Sequence, residues 1–492
     1  MFFKILILAV YVLLIVAIAV RRGRKTASFH DFFLGGGDIG PWMTAFTYGA
    51  AYFSAVVFIG FSGKIGWQFG YSGLWIALGN SLLGVLLVWW LLGHRIKKMA
   101  QEFQVSTMAE YFEKRYKSKF LKIFSSISIF VFFIPYSAAV FIGLSYLFKL
   151  NFNTEYWQAL VFMGLFTTIY LVLGGYKSMT MIDVFFGMLM LVGGGIIIFS
   201  VLDKTGGLAA ATTRLAAIDP KLTAAIGPPG IWPLFCLVFL TSVAPFAMPQ
   251  LVQKFYAVKD KKAIRAGMWV STTFAVILLT IAYFSGSLSR LFLSPQNAPA
   301  AFSNGKPVFD SLIPEMLTRV VPGSLSVFIL LLILSASMST LAALVLISSS
   351  AMVKDLYAGF INPNVSDRQL TRLMRILSAF FILLSVILAY FRPATIVSIL
   401  GISWGAIGSV FLGPFVWGLL SKRVNRLGAV TSSVLGLSVC LFLYFSGRPS
   451  PEAGTVGMLV SLAANPLFSL FAKKNAPGPI LGRDPEPKPG LE

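Results

Sequence analysis

Apolar stretches of about twenty residues recur along the whole chain, separated by short connections rich in basic and turn-forming residues. Stretches this long and this poor in charge predict membrane-spanning helices. The pattern places helices one to thirteen at about 2–20, 41–63, 71–93, 120–148, 156–174, 180–202, 230–251, 264–289, 324–353, 370–391, 395–420, 428–446 and 454–472. The runs are apolar on all faces rather than alternating, which excludes a β-barrel with a polar lumen. Only the connections 94–119, 203–229, 290–323 and 354–369 are long, and none has the length of a separate soluble domain. The expectation is one transmembrane domain over residues 1–472, followed by a disordered cytoplasmic tail at 473–492, where proline and charge dominate.

Two of these helices carry interruptions. Helix two contains Gly49, Ser54, Gly60 and Gly63; helix seven contains Pro245 and Pro249. Proline removes a helical hydrogen bond, and glycine lets backbone come close to a ligand. Counting from one broken helix to the start of the other gives five helices. Interrupted spans at matching places in two halves are the sequence pointer to an inverted-repeat secondary transporter, although kinked helices are also common in membrane proteins generally.

Composition sharpens the class. Hydrophobic residues make up 57% of the 492 and charged residues 12%, with mean hydropathy +0.82; a soluble domain carries about twice that charge. The formal charge of +22 invites a nucleic-acid partner, but its distribution argues for none. Basic residues gather in alternate connections: Arg21 to Lys25, Arg95 to Lys117, Lys254 to Arg265, Arg368 to Arg375, Lys422 to Arg426, and Lys473 with Lys474. Such alternation follows the positive-inside rule and puts those connections in the cytoplasm, the N-terminus outside and the C-terminus inside. Basic residues follow the first apolar run rather than precede it, so residues 2–20 read as a retained helix rather than a signal peptide. Cys236 and Cys440 lie in apolar helices as small packing residues. His30 and His94 sit in basic connections, so no transition-metal cluster is expected.

Polar residues inside the spans are the candidate chemistry. Asp183 reads as the one carboxylate that enters a span. It is either a cation-attracting group on a path or a first-turn residue complementing the helix dipole. Helix nine holds Ser335, Ser337, Ser339 and Thr340. Such hydroxyls commonly bond back to carbonyls one turn earlier, but the adjacent pair Ser339 and Thr340 can also offer oxygens to a small hard cation. Gly35, Gly37 and Gly40 spell a dinucleotide-type glycine pattern, but no strand precedes it. The run Gly193 to Gly195 reads as a helix-packing face.

The segments FFLGGGDIGPWMTAFTYGAAYFSA, GGYKSMTMIDV, MPQLVQKFYAVKDKKAIRAG and SASMSTLAALVLISSSAMVKDLY together resemble the sodium:solute symporter family. The resemblance implies an all-α polytopic membrane protein of about thirteen helices. Its core would be leucine-transporter-like, two inverted five-helix repeats at about 41–202 and 230–420. It implies sodium as coupling ion, held by backbone oxygens of Ala50, Phe53 and Ala336 and by the hydroxyls of Ser339 and Thr340, with Asp183 on the sodium exit route. Solute would sit beside the breaks, near Tyr52, Ser54, Pro249 and Gln250, with Tyr136 and Trp404 as further gate or pocket positions. No organic cofactor is implied, and the membrane would be the cytoplasmic membrane.

The departures refine that expectation. Proline transporters carry aspartate where this chain has Tyr52, and tyrosine there is nearer the pantothenate branch. Relatives with a second sodium use two further helix-nine hydroxyls, which here are Ala342 and Ala343, so one sodium per cycle is expected. Phe186 stands where a glutamine often accompanies sugar-type pockets. A channel would need more polar lining, and an intramembrane enzyme would need a convergent acid, base or nucleophile set. A carrier coupled to protons through Asp183, or uncoupled, is the closer rival to sodium-coupled uptake of a small carboxylate or amino-acid-like solute.

Overall fold

A computed structural model describes residues 2–23, 28–37 and 39–471. The expectations for Arg24, Lys25, Lys473, Lys474 and the 473–492 tail fall outside these residues. The described parts of the predicted stretches are largely helical, and ten helical runs among the described residues are long and apolar enough to cross a bilayer. Helices five and six form one run, Tyr156–Thr205, bent at Gly175, whose φ of +65° is accessible to glycine at little cost.

The long connections hold structure that hydropathy alone does not reveal. Residues 94–119 contain the helices His94–Phe103 and Met108–Tyr116, the second begun by a capping box between Thr107 and Glu110. Leu208–Ile218 is a helix within 203–229. The 290–323 connection forms a two-residue hairpin, Phe302–Ser303 with Lys306–Pro307, and then the helix Phe309–Val320. Asp310 at its start accepts a hydrogen bond from the Ile396 amide at 3.1 Å, tying this connection to the first turn of helix eleven. Burial pushes the Asp310 carboxyl up to about 6, against the opposing pull of that amide and of Lys64.

Helix nine is the central post. Residues 329–351 are all buried, as an all-round apolar helix must be when it forms the middle of a bundle. Around it the packing relies on missing side chains. A Cβ on Gly193 would run into Leu332 of helix nine. One on Gly66 would collide with the backbone of Gly286, so helices two and eight meet backbone to backbone. Helix one packs on the rim of this core: Phe2, Phe3, Val10 and Leu13 are exposed, while Tyr11, Ile15 and Ala19 are buried and the Tyr11 hydroxyl shares a hydrogen bond with Ser335 Oγ of helix nine at 3.1 Å.

Four expectations change on the structure. Helix nine does not stop near 353 but continues, with π-type hydrogen bonding, from Ala351 to Ile361, so Lys354 and Asp355 are helical. Asp183 is therefore not alone: Asp355 is also buried in a helical run, where it accepts from Thr107 Oγ1 at 2.7 Å. Nor is Asp183 a first-turn residue. It lies eight positions beyond the Gly175 bend, too deep in the helix for its carboxylate to cap free amides. Lys254, counted above among the basic connection residues, sits on the helix Pro249–Ala257 and is 1% exposed.

Candidate ion and solute site

Helix two stops at Tyr52 and restarts near Val56. Phe53 at the stop is extended, with φ −103° and ψ +145°. The interruption falls at Phe53–Ser54 rather than at the glycines. Gly49 and Gly60 instead admit Phe274 and Ile396, against which an added Cβ would clash. The restart is held by side chains. Ser54 Oγ accepts from the Val56 amide at 3.1 Å, and Ser337 Oγ of helix nine accepts from the Ala55 amide at 3.0 Å. Free backbone groups in a membrane interior need such partners, and helix nine supplies them.

The carbonyls at the same break turn toward helix nine. Thr340 Oγ1 lies 2.6 Å from the Phe53 oxygen, 3.1 Å from Ala336 O and 3.3 Å from Ala51 O, and it donates its single proton among them. Ser339, the next residue back, is fully buried and its Oγ has no hydrogen-bond partner. Of the five predicted sodium ligands, Phe53, Ala336 and Thr340 thus converge directly. The Ala50 oxygen caps the helix end by accepting from the Phe53 amide at 3.3 Å. Ala51 O is an additional oxygen at the break that the sequence reading omitted.

Helix seven is interrupted in the same manner. A 3-10 turn at Ala244–Ala247 leads to an extended Met248, and Pro249 opens the second half of the helix, a position where its missing N–H costs nothing. Tyr52 reaches across to this element, its hydroxyl donating to Thr241 O at 3.0 Å.

Between the two breaks lies a cavity of about 20 Å³, lined in part by Tyr52, Ser54, Asn80, Tyr136, Tyr283 and Trp404. That is room for roughly one water, so the walls are closed around it. Trp404 is the hub: its ring meets Tyr52 edge-on with centroids 6.4 Å apart and Tyr136 at 6.0 Å, and its indole N–H has no partner. Four predicted solute positions, Tyr52, Ser54, Tyr136 and Trp404, share this lining. Pro249 and Gln250 are buried but are not among the lining residues. Asn80, whose side-chain oxygen accepts from Ser242 at 2.9 Å, was missed. Its signal was available, since an amide inside an otherwise apolar span needs a reason to be there.

Behind helix nine, Asp183 lies beside Ser339 and Thr47 and faces the ammonium of Lys254. Asp183 is 0% exposed, and neither of its oxygens is hydrogen-bonded. Among the described residues no group of three or more His, Cys, Asp or Glu side chains is placed to hold a metal ion.

A bundle with two broken helices facing a hydroxyl-bearing central helix is the architecture of solved secondary transporters. A sodium-coupled sialic acid symporter has the same fold, with a TM-score of 0.82 at 18% identity over 98% of this chain and 99% of that one. A nucleobase-cation symporter aligns at 0.51 and 14%, over 88% and 92%. At the level of sequence, the sodium:solute symporter family model matches residues 32–436. An osmoregulated proline transporter of Bacillus subtilis is 25% identical over 96% of this chain and 95% of its own length. The sodium/pantothenate symporter of Escherichia coli is 29% identical, over 94% and 96%. The chain belongs to the sodium:solute symporter family.

Proposed function

We propose that this protein couples the inward movement of one sodium ion to uptake of a small organic solute by alternating access. The observation that carries the reading is the convergence of Phe53 O, Ala51 O, Ala336 O and Thr340 Oγ1 beside the unpartnered Ser339 hydroxyl. A hard, small cation takes oxygen ligands, and here backbone and hydroxyl oxygens stand at a helix break in an otherwise apolar interior. Ala50 O completes the proposed set, and Asp183 marks the way out. The protein sits in the cytoplasmic membrane with its N-terminus outside, as the basic connections indicate. The domain limits are those read from the sequence: one transporter domain to residue 472, with repeats at 41–202 and 230–420.

The solute belongs between the breaks. The aromatic lining by Tyr52, Tyr136 and Trp404, with Ser54 and Asn80 as polar points, suits a compact molecule with an apolar body and a polar group. Pro249 and Gln250 border the helix-seven break and contribute after the cavity opens. Relatives named for proline and pantothenate favour a small carboxylate. One sodium moving down about 100 mV yields roughly 2.3 kcal/mol, and a tenfold sodium gradient adds about 1.4 kcal/mol. Together these support a gradient of several hundred-fold for a solute without net charge.

The test is thermal unfolding of the purified protein in sodium, potassium and choline, then with proline, pantothenate and other small carboxylates in sodium. A sodium-specific shift, increased further by one solute, is expected. Equal stability in all three cations, together with uptake that persists in choline, would instead assign coupling to protons through Asp183 or to none.

A further inference from the structure

On the side of the molecule that carries the basic connections, a cavity of about 670 Å³ opens at the start of helix ten, lined in part by Ser28, Asp367, Arg368, Arg372 and Arg375. The three arginines follow at spacings of four and three, so one face of the helix Asp367–Phe391 presents all three guanidiniums. The carboxylate in this lining is already engaged, since Asp367 Oδ2 accepts from the Phe29 amide at 3.3 Å. Arg375 is more than a solvated charge. Its guanidinium lies 5.5 Å from the ring centre of Phe32, and its Nε is shielded from water without a hydrogen-bond partner. Ser28 Oγ accepts from the Asp31 amide at 3.1 Å, and its O–H remains a donor. Deeper along helix ten the character changes. The same spacing of three and four runs on from Arg372 to Ile376, Phe380, Leu383 and Ile387, each about half exposed, while Met374, Phe381 and Ile382 are buried in the bundle. In a bilayer that exposed stripe meets acyl chains.

We propose that this cavity holds the phosphate of an anionic phospholipid, whose acyl chains lie along the apolar stripe of helix ten. Three guanidiniums less one carboxylate leave the described lining with a formal surplus of positive charge. A phosphodiester carries one negative charge and two free oxygens, which match the planar fork of a guanidinium. Ser28 adds a neutral donor from the opposite wall. A soluble phosphate would satisfy the arginines but leave Ile376 and Phe380 uncovered. A lipid covers both, and basic pockets at the membrane surface are suited to anionic headgroups. The headgroup also joins two elements. Ser28 and Phe32 belong to the segment ahead of helix two, and the arginines belong to helix ten. Without a headgroup, that junction rests on the Phe29 amide at Asp367 and on the stacking of Arg375 over Phe32. Such a site is independent of the coupling ion.

The test is thermal unfolding of the full chain in non-ionic detergent, titrated with phosphatidylglycerol, with phosphatidylcholine, and separately with glycerol phosphate. Phosphatidylglycerol is expected to raise the unfolding temperature and to saturate, while the other two leave it unchanged at the same concentrations. Arg368→Gln with Arg372→Gln, both at exposed positions, should move the phosphatidylglycerol midpoint up by about tenfold or more. Lys261→Gln with Lys262→Gln removes the same charge from another exposed connection on that side and should keep the wild-type midpoint. A midpoint unmoved by the arginine pair overturns the site, and an equal change in the lysine pair reassigns the effect to general surface charge. Equal stabilisation by glycerol phosphate overturns the lipid as occupant. Wild type alone supplies a check that needs no variant. Native mass spectrometry after exposure to an equal mixture of the two lipids should retain phosphatidylglycerol by about tenfold over phosphatidylcholine, and equal retention overturns the proposal.

Discussion

Ser339 and Thr340 are adjacent hydroxyls with opposite bonding states, and this gives the ion site its sharpest test. Ser339 Oγ is buried without a partner, whereas Thr340 Oγ1 lies within 3.3 Å of three carbonyl oxygens. In the absence of sodium, Ser339→Ala removes an unsatisfied buried group and substitutes a better helix former. The variant should therefore match wild type or gain up to about 1 kcal/mol. Thr340→Val keeps the side-chain shape but strips the hydroxyl that donates to the Phe53 oxygen, leaving a buried carbonyl short of a partner at a cost of roughly 1–3 kcal/mol. Adding sodium should reverse the comparison. At a concentration about a hundredfold above its dissociation constant, the ion stabilises by about 2.7 kcal/mol. If either substitution weakens binding about a hundredfold, less than about 0.5 kcal/mol of that survives. The assay is denaturant or thermal unfolding in detergent across a sodium series, with choline holding ionic strength constant. Equal losses by both variants without sodium would refute the bonding asymmetry. A full sodium response in both would refute the ligand assignment.

Other consequences are as direct. Gly66→Ala places a methyl group against the backbone of Gly286. It should abolish the close approach of helices two and eight, at a cost above about 3 kcal/mol that shows as loss of folded protein on size exclusion. Asp310 has a folded-state pKa raised to about 6. The folded protein thus binds the proton more tightly, and stability should fall as pH rises from about 4 to about 6. Asp310→Asn should flatten that slope in unfolding measured against pH, while a slope unchanged in the variant would exclude Asp310 as its source. Tyr52→Phe loses the hydrogen bond to Thr241 O at the helix-seven break. It should raise KM for the solute several-fold while leaving sodium stabilisation intact, and a lost sodium response instead would tie Tyr52 to the ion site.

Much of the candidate site was readable from the chain because membrane interiors make polar residues conspicuous. Ser339, Thr340 and Asp183 stood out against apolar runs, and resemblance supplied Tyr52 and their other companions. Asn80 was equally conspicuous and was passed over. Lys254 misled for a physical reason: in sequence it sits among basic residues that do line a connection, and only helix packing separates the one turned inward from those in water. Asp355 was misplaced because hydropathy falls at charged residues whether a helix ends there or continues, as this one does to Ile361.

The sequence by itself determined the membrane class, the placement of the long apolar helices, the presence of interruptions in helices two and seven and the family. Hydrophobic length and the exclusion of charge from hydrocarbon are properties of composition along a line. Tertiary structure decided where helix two stops, which carbonyls face Thr340, and which aromatic rings close around Trp404. It also set Lys254 against Asp183. Those outcomes depend on how helices pack side by side, where a missing Cβ at Gly66 or Gly193 fixes the approach of two backbones and so the aim of every group they carry.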